Sequence, residues 1–275
     1  MTWGRRPGQF GQSVDRLTTG GSPAGVRPSA NAMRKIPGWY ALKTFQALNT
    51  VIRAVILGVA ALLLTFAGPN AAHAAAIAVT ATNDELNTDG DCSLREAIQA
   101  ANTDTGVDSC LSGNGADTIM VPAGTYTLSL PSLEDSNTSG DLDIVGDLTI
   151  HGAGAASTII DGGDIDRVFD VQIGANVAIS GLTITNGSSG PANDGGGIRN
   201  AGTLTVNSSV IDRNWAGNND SYESGASGGE IFNSGVLTLI DTAVSDNDAL
   251  DGGGIVNTGS MVLTRSTISD CWLSA

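Results

Sequence analysis

The sequence predicts an all-β fold, a right-handed parallel β-helix with a short N-terminal capping helix, and three observations carry that expectation. A unit opening on Gly-Gly-x-Ile recurs three times with Asn at a fixed place. Within each unit apolar residues alternate with polar ones at the period of a strand. The single stretch with helical periodicity stands ahead of the repeats, where a solenoid needs its open end covered.

The N-terminal 74 residues differ in kind from the rest. They hold eight of the 13 Lys and Arg residues but only one acidic residue, Asp15, so residues 75–275 carry a net charge of −22 and no lysine. Such a balance argues against nucleic acid as a partner, because phosphate contacts need clustered cations. Residues 1–32 read as a disordered leader or an over-extended start, and residues 33–74 as a signal peptide. Lys43 and Arg53 precede an uncharged apolar run at 54–67, and Ala72-His73-Ala74 supplies the small-residue cleavage pattern, with cleavage after Ala74. The run is short of the roughly 20 residues of a permanent span. Export to a secreted or cell-surface location follows as the expectation, with membrane contact only through this segment or an anchor elsewhere.

An N-terminal cap is expected over 75–116. A strand at 77–81 leads into CSLREAIQAAN, where Ser93 and Glu96 have the spacing of a capping box. Leu94, Ala97, Ile98 and Ala101 fall on one helical face, so residues 93–102 read as a short amphipathic helix. Cys92 and Cys110 are either two buried thiols or, as an oxidising compartment favours, a disulfide; closing that loop contributes roughly 3 kcal/mol.

From 117 to 275 the expectation is parallel β-helix. Loose strand patterns occur at 117–121, 125–130, 142–145, 148–150, 158–160, 168–171, 177–179 and 182–185. Clearer units then begin at Gly195, Gly228 and Gly252, placing Ile198, Ile231 and Ile255 in correspondence, and likewise Asn200, Asn233 and Asn257. The aligned asparagines are expected to stack as an amide ladder. The first spacing is longer by a Gly/Asn/Ser-rich insert around 216–227, which marks a loop on one face. The chain stops at Ala275 inside a unit, with Cys271 where earlier copies have Asn214 and Asn247, so the β-helix is expected to be C-terminally incomplete.

The CSLREAIQAAN stretch is very similar to the signature of the CSLREA-domain family of bacterial exported β-helix proteins. The similarity continues through GADTIMVPAGTYTL, GDLDIVGDLTIHGAG, TIIDGGDIDRVFDV and ANVAISGLTITNG, spanning about residues 76–187. The later units resemble the repeats of polymorphic outer-membrane proteins. The resemblance implies a pectate-lyase-like fold and a secreted or surface location, and it implies no settled activity.

Polysaccharide lyases and hydrolases of this fold need an Arg or Lys base with Asp-bound Ca2+, or clustered carboxylates. The mature part offers Arg95, Arg167, Arg199, Arg213 and Arg265, of which the last three read as outer-face decoration. His151 reads as a turn residue without a nearby Ser, Cys or second His. Asp141, Asp143 and Asp147 alternate and would set carboxylates on one outer face, as a Ca2+ site or as an ordinary solvated strand. Asp246, Asp248 and Asp251 are a second oxygen cluster, and neither group matches a Ca2+-loop motif. No cofactor is expected beyond that Ca2+ alternative. Exposed aromatics reduce to Trp215, Tyr222 and Trp272, and no glycine-rich dinucleotide motif stands between a strand and a long helix. The function expected is a non-catalytic β-helix for adhesion or interaction with an extracellular protein or polysaccharide. The alternative is a polysaccharide-binding or polysaccharide-degrading β-helix.

Overall fold

In the computed structural model, residues 49–50, 52–53, 74–130, 136–190, 194–216, 230–249 and 253–273 are described. The chain divides into two compact units, Met1–Pro69 and Asn70–Ala275, and the second holds the fold. The expected leader and the apolar run of the export signal lie outside the described residues, while Ala74 is described and exposed. Among the described residues no helix is long and apolar enough to cross a membrane.

Strand β1 (Ala76–Ala78) and helix α1 (Leu94–Thr103) come first. The chain then winds through coils, the first being β2 (Asp117–Val121), β3 (Gly124–Thr127) and β4 (Leu142–Ile144). The second is β5 (Leu148–Gly152), β6 (Thr158–Asp161) and β7 (Phe169–Val171), and the third β8 (Asn176–Ser180), β9 (Thr183–Thr185) and β10 (Ile198–Asn200). A fourth strand joins the next coil, β11 (Thr203–Asn207), β12 (Val210–Asp212), β13 (Trp215–Ala216) and β14 (Ile231–Asn233). The fifth repeats it as β15 (Val236–Ile240), β16 (Ala243–Ser245), β17 (Asp248–Ala249) and β18 (Ile255–Asn257). Last come β19 (Ser260–Thr264), β20 (Thr267–Ser269) and β21 (Trp272–Leu273).

Successive coils pair in parallel, building sheets of seven, six, five and three strands. The fold is therefore the parallel β-helix that the repeats predict. Period-two alternation decides which residues fill it, because one face of each short strand turns inward and the coils stack those faces. Ile77, Ile119, Ile150, Ile179, Val206 and Leu239 form one such column, each fully buried. Leu142, Phe169, Ile198 and Ile231 form a second column, also fully buried. Each such side chain contributes roughly 1.5–3 kcal/mol through burial. Neither face of a lone coil could bury that much.

Two departures from the sequence expectation have simple causes. The strand expected at 77–81 ends at Ala78, because the amides of Thr80 and Ala81 turn to the Cys92 carbonyl instead of a neighbouring strand. The additional strands β13, β17 and β21 are two residues each, too short to show alternation.

The corners explain why repeat length in the later coils varies at one place only. The connections from the seven-stranded to the six-stranded sheet in the last four coils are two residues, at 181–182, 208–209, 241–242 and 265–266. Their first residues, Gly181, Ser208, Asp241 and Arg265, all have φ between 49° and 66°. That left-handed conformation suits Gly and costs a side chain, so three of these corners hold some strain. From the five-stranded to the seven-stranded sheet the last three corners are also two residues, at 201–202, 234–235 and 258–259. The third corner, which carries the chain into the five-stranded sheet, ranges from seven residues (162–168) to eighteen (213–230).

Cys92 and Cys110 are joined by a disulfide that closes the cap loop. Replacing both by Ala is expected to lower stability by about 3 kcal/mol. A thermal melt of the double variant, compared with the parent in reducing and oxidising buffer, checks this.

Candidate functional site

The residues flagged as bearing chemistry fall into three places: the cap, the outer face of the five-stranded sheet, and the asparagine columns. The cap begins with Ser93, whose side chain accepts from the Glu96 amide while the Glu96 carboxylate takes the Ser93 amide at 2.9 Å and the Asn87 amide at 3.0 Å. Leu94, Ala97 and Ile98 are buried in the core. Two further residues of the motif act on the strand edge. Arg95 Nη1 donates to the Asp141 carbonyl at 2.8 Å and Nη2 to the Gly140 carbonyl at 2.6 Å, while Nε meets Asp84 at 2.5 Å. Asn102, seven residues on, donates Nδ2 to the Asp143 carbonyl at 2.7 Å and accepts the Val145 amide at 3.1 Å. A residue seven positions away lies on the same helical face, so Arg95 and Asn102 together supply the partners that a further strand would have given β4. Asp84 does the same beyond β3, accepting the amides of Ser129 and Leu130. The motif is a device for closing a sheet edge, and its chemistry is spent on backbone groups.

The outer-face carboxylates are corrected by the structure. Asp141 and Asp143 are buried rather than solvated, and Asp147 is exposed in the turn at 145–147. β4 ends at Ile144, so the alternation that would have placed Asp147 beside the other two is broken by a corner. The third carboxylate beside Asp141 and Asp143 is instead Asp170, one coil further on and in register with Asp143. Arg199 follows in the same column and donates to Asp170 at 2.8 Å, while Arg167 Nε lies 2.5 Å from an Asp141 oxygen. Asn137 covers the group, its amide donating to Asp143 at 2.8 Å and its side chain to the Arg95 carbonyl at 3.0 Å. Burial is the main influence on Asp141, pushing its carboxyl up to about 8 against the pull of Arg167. Asp166 is also raised by burial. The ligand atoms of Asp141, Asp143 and Asp170 lie close enough to hold a cation such as Ca2+, but two guanidiniums already stand at the group. What the arrangement does is pin three elements together.

A more open acidic group lies in the cap loop, where Glu85, Asp89 and Asp91 gather near Glu96 and Asp108. One Asp108 oxygen receives the amides of Asp89, Gly90 and Asp91, which fixes the loop. Of the second sequence cluster, Asp246 takes a left-handed turn position, Asp248 sits in β17, and Asp251 lies outside the described residues.

His151 is not isolated, as its sequence neighbours suggested. Its Nδ1 lies 2.8 Å from the Ser180 hydroxyl, because the two residues pair across adjacent coils. The ring borders a surface cleft of about 320 Å³ lined by Met120, Val121, Pro122, Gly152 and Ala153. No carboxylate is hydrogen-bonded to the ring among the described residues, so the pair lacks the third group that orients a catalytic base. Arg213 and Arg265 occupy the left-handed turns and lie exposed, paired with Asp212 and Asp241. Tyr222 lies outside the described residues, as does the Trp272 side chain; Trp215 is half-buried in β13.

The first asparagine column is built as an amide ladder. Asn200 Nδ2 donates to Asn233 Oδ1 at 2.6 Å, and Asn233 Nδ2 to Asn257 Oδ1 at 2.5 Å. A second column runs beside it: Asn214 Oδ1 accepts the Gly187 amide and Asn247 Oδ1 the Asn214 amide, each at 2.9 Å. Cys271 ends this column; its thiol receives a long contact from Asn247 at 3.8 Å and donates to the Ser269 carbonyl at 3.3 Å. Glu230, which the sequence reading passed over, is fully buried here and bonded to the Asn247 side chain. Burial holds its carboxyl well above the usual range. The unit GGEI, where the other two copies read GGGI, was the sign of it. Cys271→Asn is expected to extend the second column and raise stability by about 1 kcal/mol, read from the denaturant midpoint.

Comparisons with protein-family models, with curated proteins and with solved structures found no match.

Proposed function

We propose that this chain is an exported, surface-displayed or secreted β-helix scaffold of the CSLREA type, without catalysis of its own, that engages an extracellular protein or polysaccharide. One observation carries the reading. In the later coils length varies at a single corner while the other two are held to two residues, so there one ridge is free to carry loops and the rest is fixed. The buried Asp141, Asp143 and Asp170 group supports it, since these carboxylates are bound to guanidiniums and amides inside the chain.

The test is binding of the chain to a panel of immobilised matrix proteins and polysaccharides. Removal of residues 217–229 is expected to weaken the captured interaction at least tenfold while circular dichroism stays unchanged. Equal binding after that deletion would place recognition elsewhere. A second reading, action on a polysaccharide, is favoured by the cleft at Met120 and the His151–Ser180 pair. Release of reducing or unsaturated sugars, lost in His151→Ala, would establish it in place of the first.

A further inference from the structure

The cap gathers carboxylates with no cation among them. The ligand oxygens of Glu85, Asp89 and Asp91 lie within 4.8 Å of one another, and so do those of Asp91, Glu96 and Asp108. None of the ion pairs among the described residues involves these five. Two of their oxygens, Glu85 Oε1 and Asp91 Oδ1, are sealed from solvent and accept no hydrogen bond among the described residues. Glu96 is wholly buried beside them. A desolvated carboxylate oxygen without a donor is costly, and several facing one another cost more. Burial, and then the charges of Asp89 and Glu96, hold the Asp91 carboxyl above its usual range.

The spacing of these residues names the counter-charge they fit. A twelve-residue Ca2+ loop draws ligands from its first, third, fifth, seventh and twelfth positions, turns sharply at a glycine in the sixth, and runs into a helix. Counted from Glu85, the third, fifth and seventh residues are Asn87, Asp89 and Asp91, the sixth is Gly90 and the twelfth is Glu96. Gly90 has a φ of 100°, a bend that a side chain would strain. Glu96 stands in the first turn of α1, fixed by the amides of Asn87 and Ser93. Two places depart from the standard loop. Glu stands first where Asp is usual, and the Asp91 carbonyl, the expected seventh ligand, accepts the Ser109 amide at 3.1 Å.

We propose that residues 85–96 bind one Ca2+ ion through side-chain oxygens of Glu85, Asn87, Asp89, Asp91 and Glu96. The orphaned Asp91 Oδ1 serves in place of its carbonyl. Asn87, whose Nδ2 donates to Glu85 at 2.8 Å and to Asp89 at 3.2 Å, turns its amide over so that Oδ1 faces the ion. Asp108 stands behind the loop and holds it by the amides of Asp89, Gly90 and Asp91. An all-oxygen, carboxylate-rich loop favours Ca2+ over Mg2+, which keeps several of its waters and demands a strict octahedron. The ion neutralises the group around the start of α1, the helix that closes the strand edge, so the cap reaches full stability only with Ca2+ bound. This stands apart from the scaffold reading, which needs no ion.

The full chain, stripped of divalent ions with EGTA, is dialysed to equilibrium against radioactive Ca2+ and melted in Ca2+ and in the same concentration of Mg2+. One ion per chain is expected, with a Kd on the order of 10⁻⁴ M, as in extracellular modules. The melting midpoint should be higher in Ca2+ than in Mg2+. Asp89→Asn together with Asp91→Asn should weaken binding at least tenfold and remove the shift, with circular dichroism unchanged. Asp89→Asn alone, at an exposed position, should weaken binding several-fold and keeps the test open if the double variant does not fold. Asp147→Asn, in an exposed turn, should leave binding as it was. Absence of retained Ca2+, or equal midpoints in the two ions, overturns the proposal. So does full binding by the double variant, which would put the ion at another carboxylate group.

Discussion

Arg95→Met is expected to be the most destabilising single change in the cap, at about 3–5 kcal/mol. The Arg95 side chain has no exposed surface and serves three partners: the Asp84 carboxylate and the carbonyls of Gly140 and Asp141. Met fills a similar volume but leaves Asp84, whose side chain is 3% exposed, as a buried charge without its cation. Removing one partner of a buried pair costs more than the pair is worth, because the desolvated survivor remains. The loss exceeds that expected for the disulfide, and in a domain of this size it lowers the melting temperature on the order of 10 °C. Arg95→Lys should recover only part, since an ammonium cannot span a carboxylate and two carbonyls in the planar fork geometry. Calorimetry of both variants measures the effect; a shift below about 0.5 kcal/mol for Arg95→Met would contradict the edge-closing role.

The second large effect is on pH. Asp141 is raised to about 8 and Glu230 well above its ordinary value, with Asp166 raised in the same sense, all chiefly by burial. In each case the folded chain keeps its proton to a higher pH than the unfolded chain does. The stabilisation is complete below the unfolded pKa and is lost as the pH rises toward the folded one. Stability should therefore fall between pH 5 and pH 8, by on the order of 3 kcal/mol from Asp141 alone, at about 1.4 kcal/mol per unit. Repulsion within an acidic chain acts in the same direction. Melting curves across this range should show a lower midpoint at pH 8, and Asp141→Asn should flatten the slope. A midpoint that rises toward pH 8, or a slope untouched by Asp141→Asn, would show that Arg167 keeps Asp141 ionised throughout.

Local signals were legible and contacts between coils were not. Ser93 and Glu96 declare a helix start three residues apart, and the Ile198, Ile231, Ile255 series declares stacking, because both depend on spacing alone. Burial of Asp143 depends on Asn137 and Gln172, the latter 29 residues away, and alternation cannot report a lid of that kind. The His151–Ser180 and Asp170–Arg199 pairs are likewise one coil apart, visible only once the register is known. The left-handed turns at Ser208, Asp241 and Arg265 carried no glycine to announce them, although Gly181 marks the same corner one coil earlier.

The fixed corners make each winding an exchangeable part. Asn200 and Asn233 stand in register, and both are followed by a small residue, a glycine and a strand of the same inward pattern. Excising residues 201–233 would join Asn200 to Ser234 with every neighbour of the seam replaced by its equivalent. The molecule would lose about 4.8 Å of height and none of its cross-section. Copying the same segment would add that height back. A gene for such a protein can change the reach of its product by whole turns through simple recombination, with no new core to design at each step.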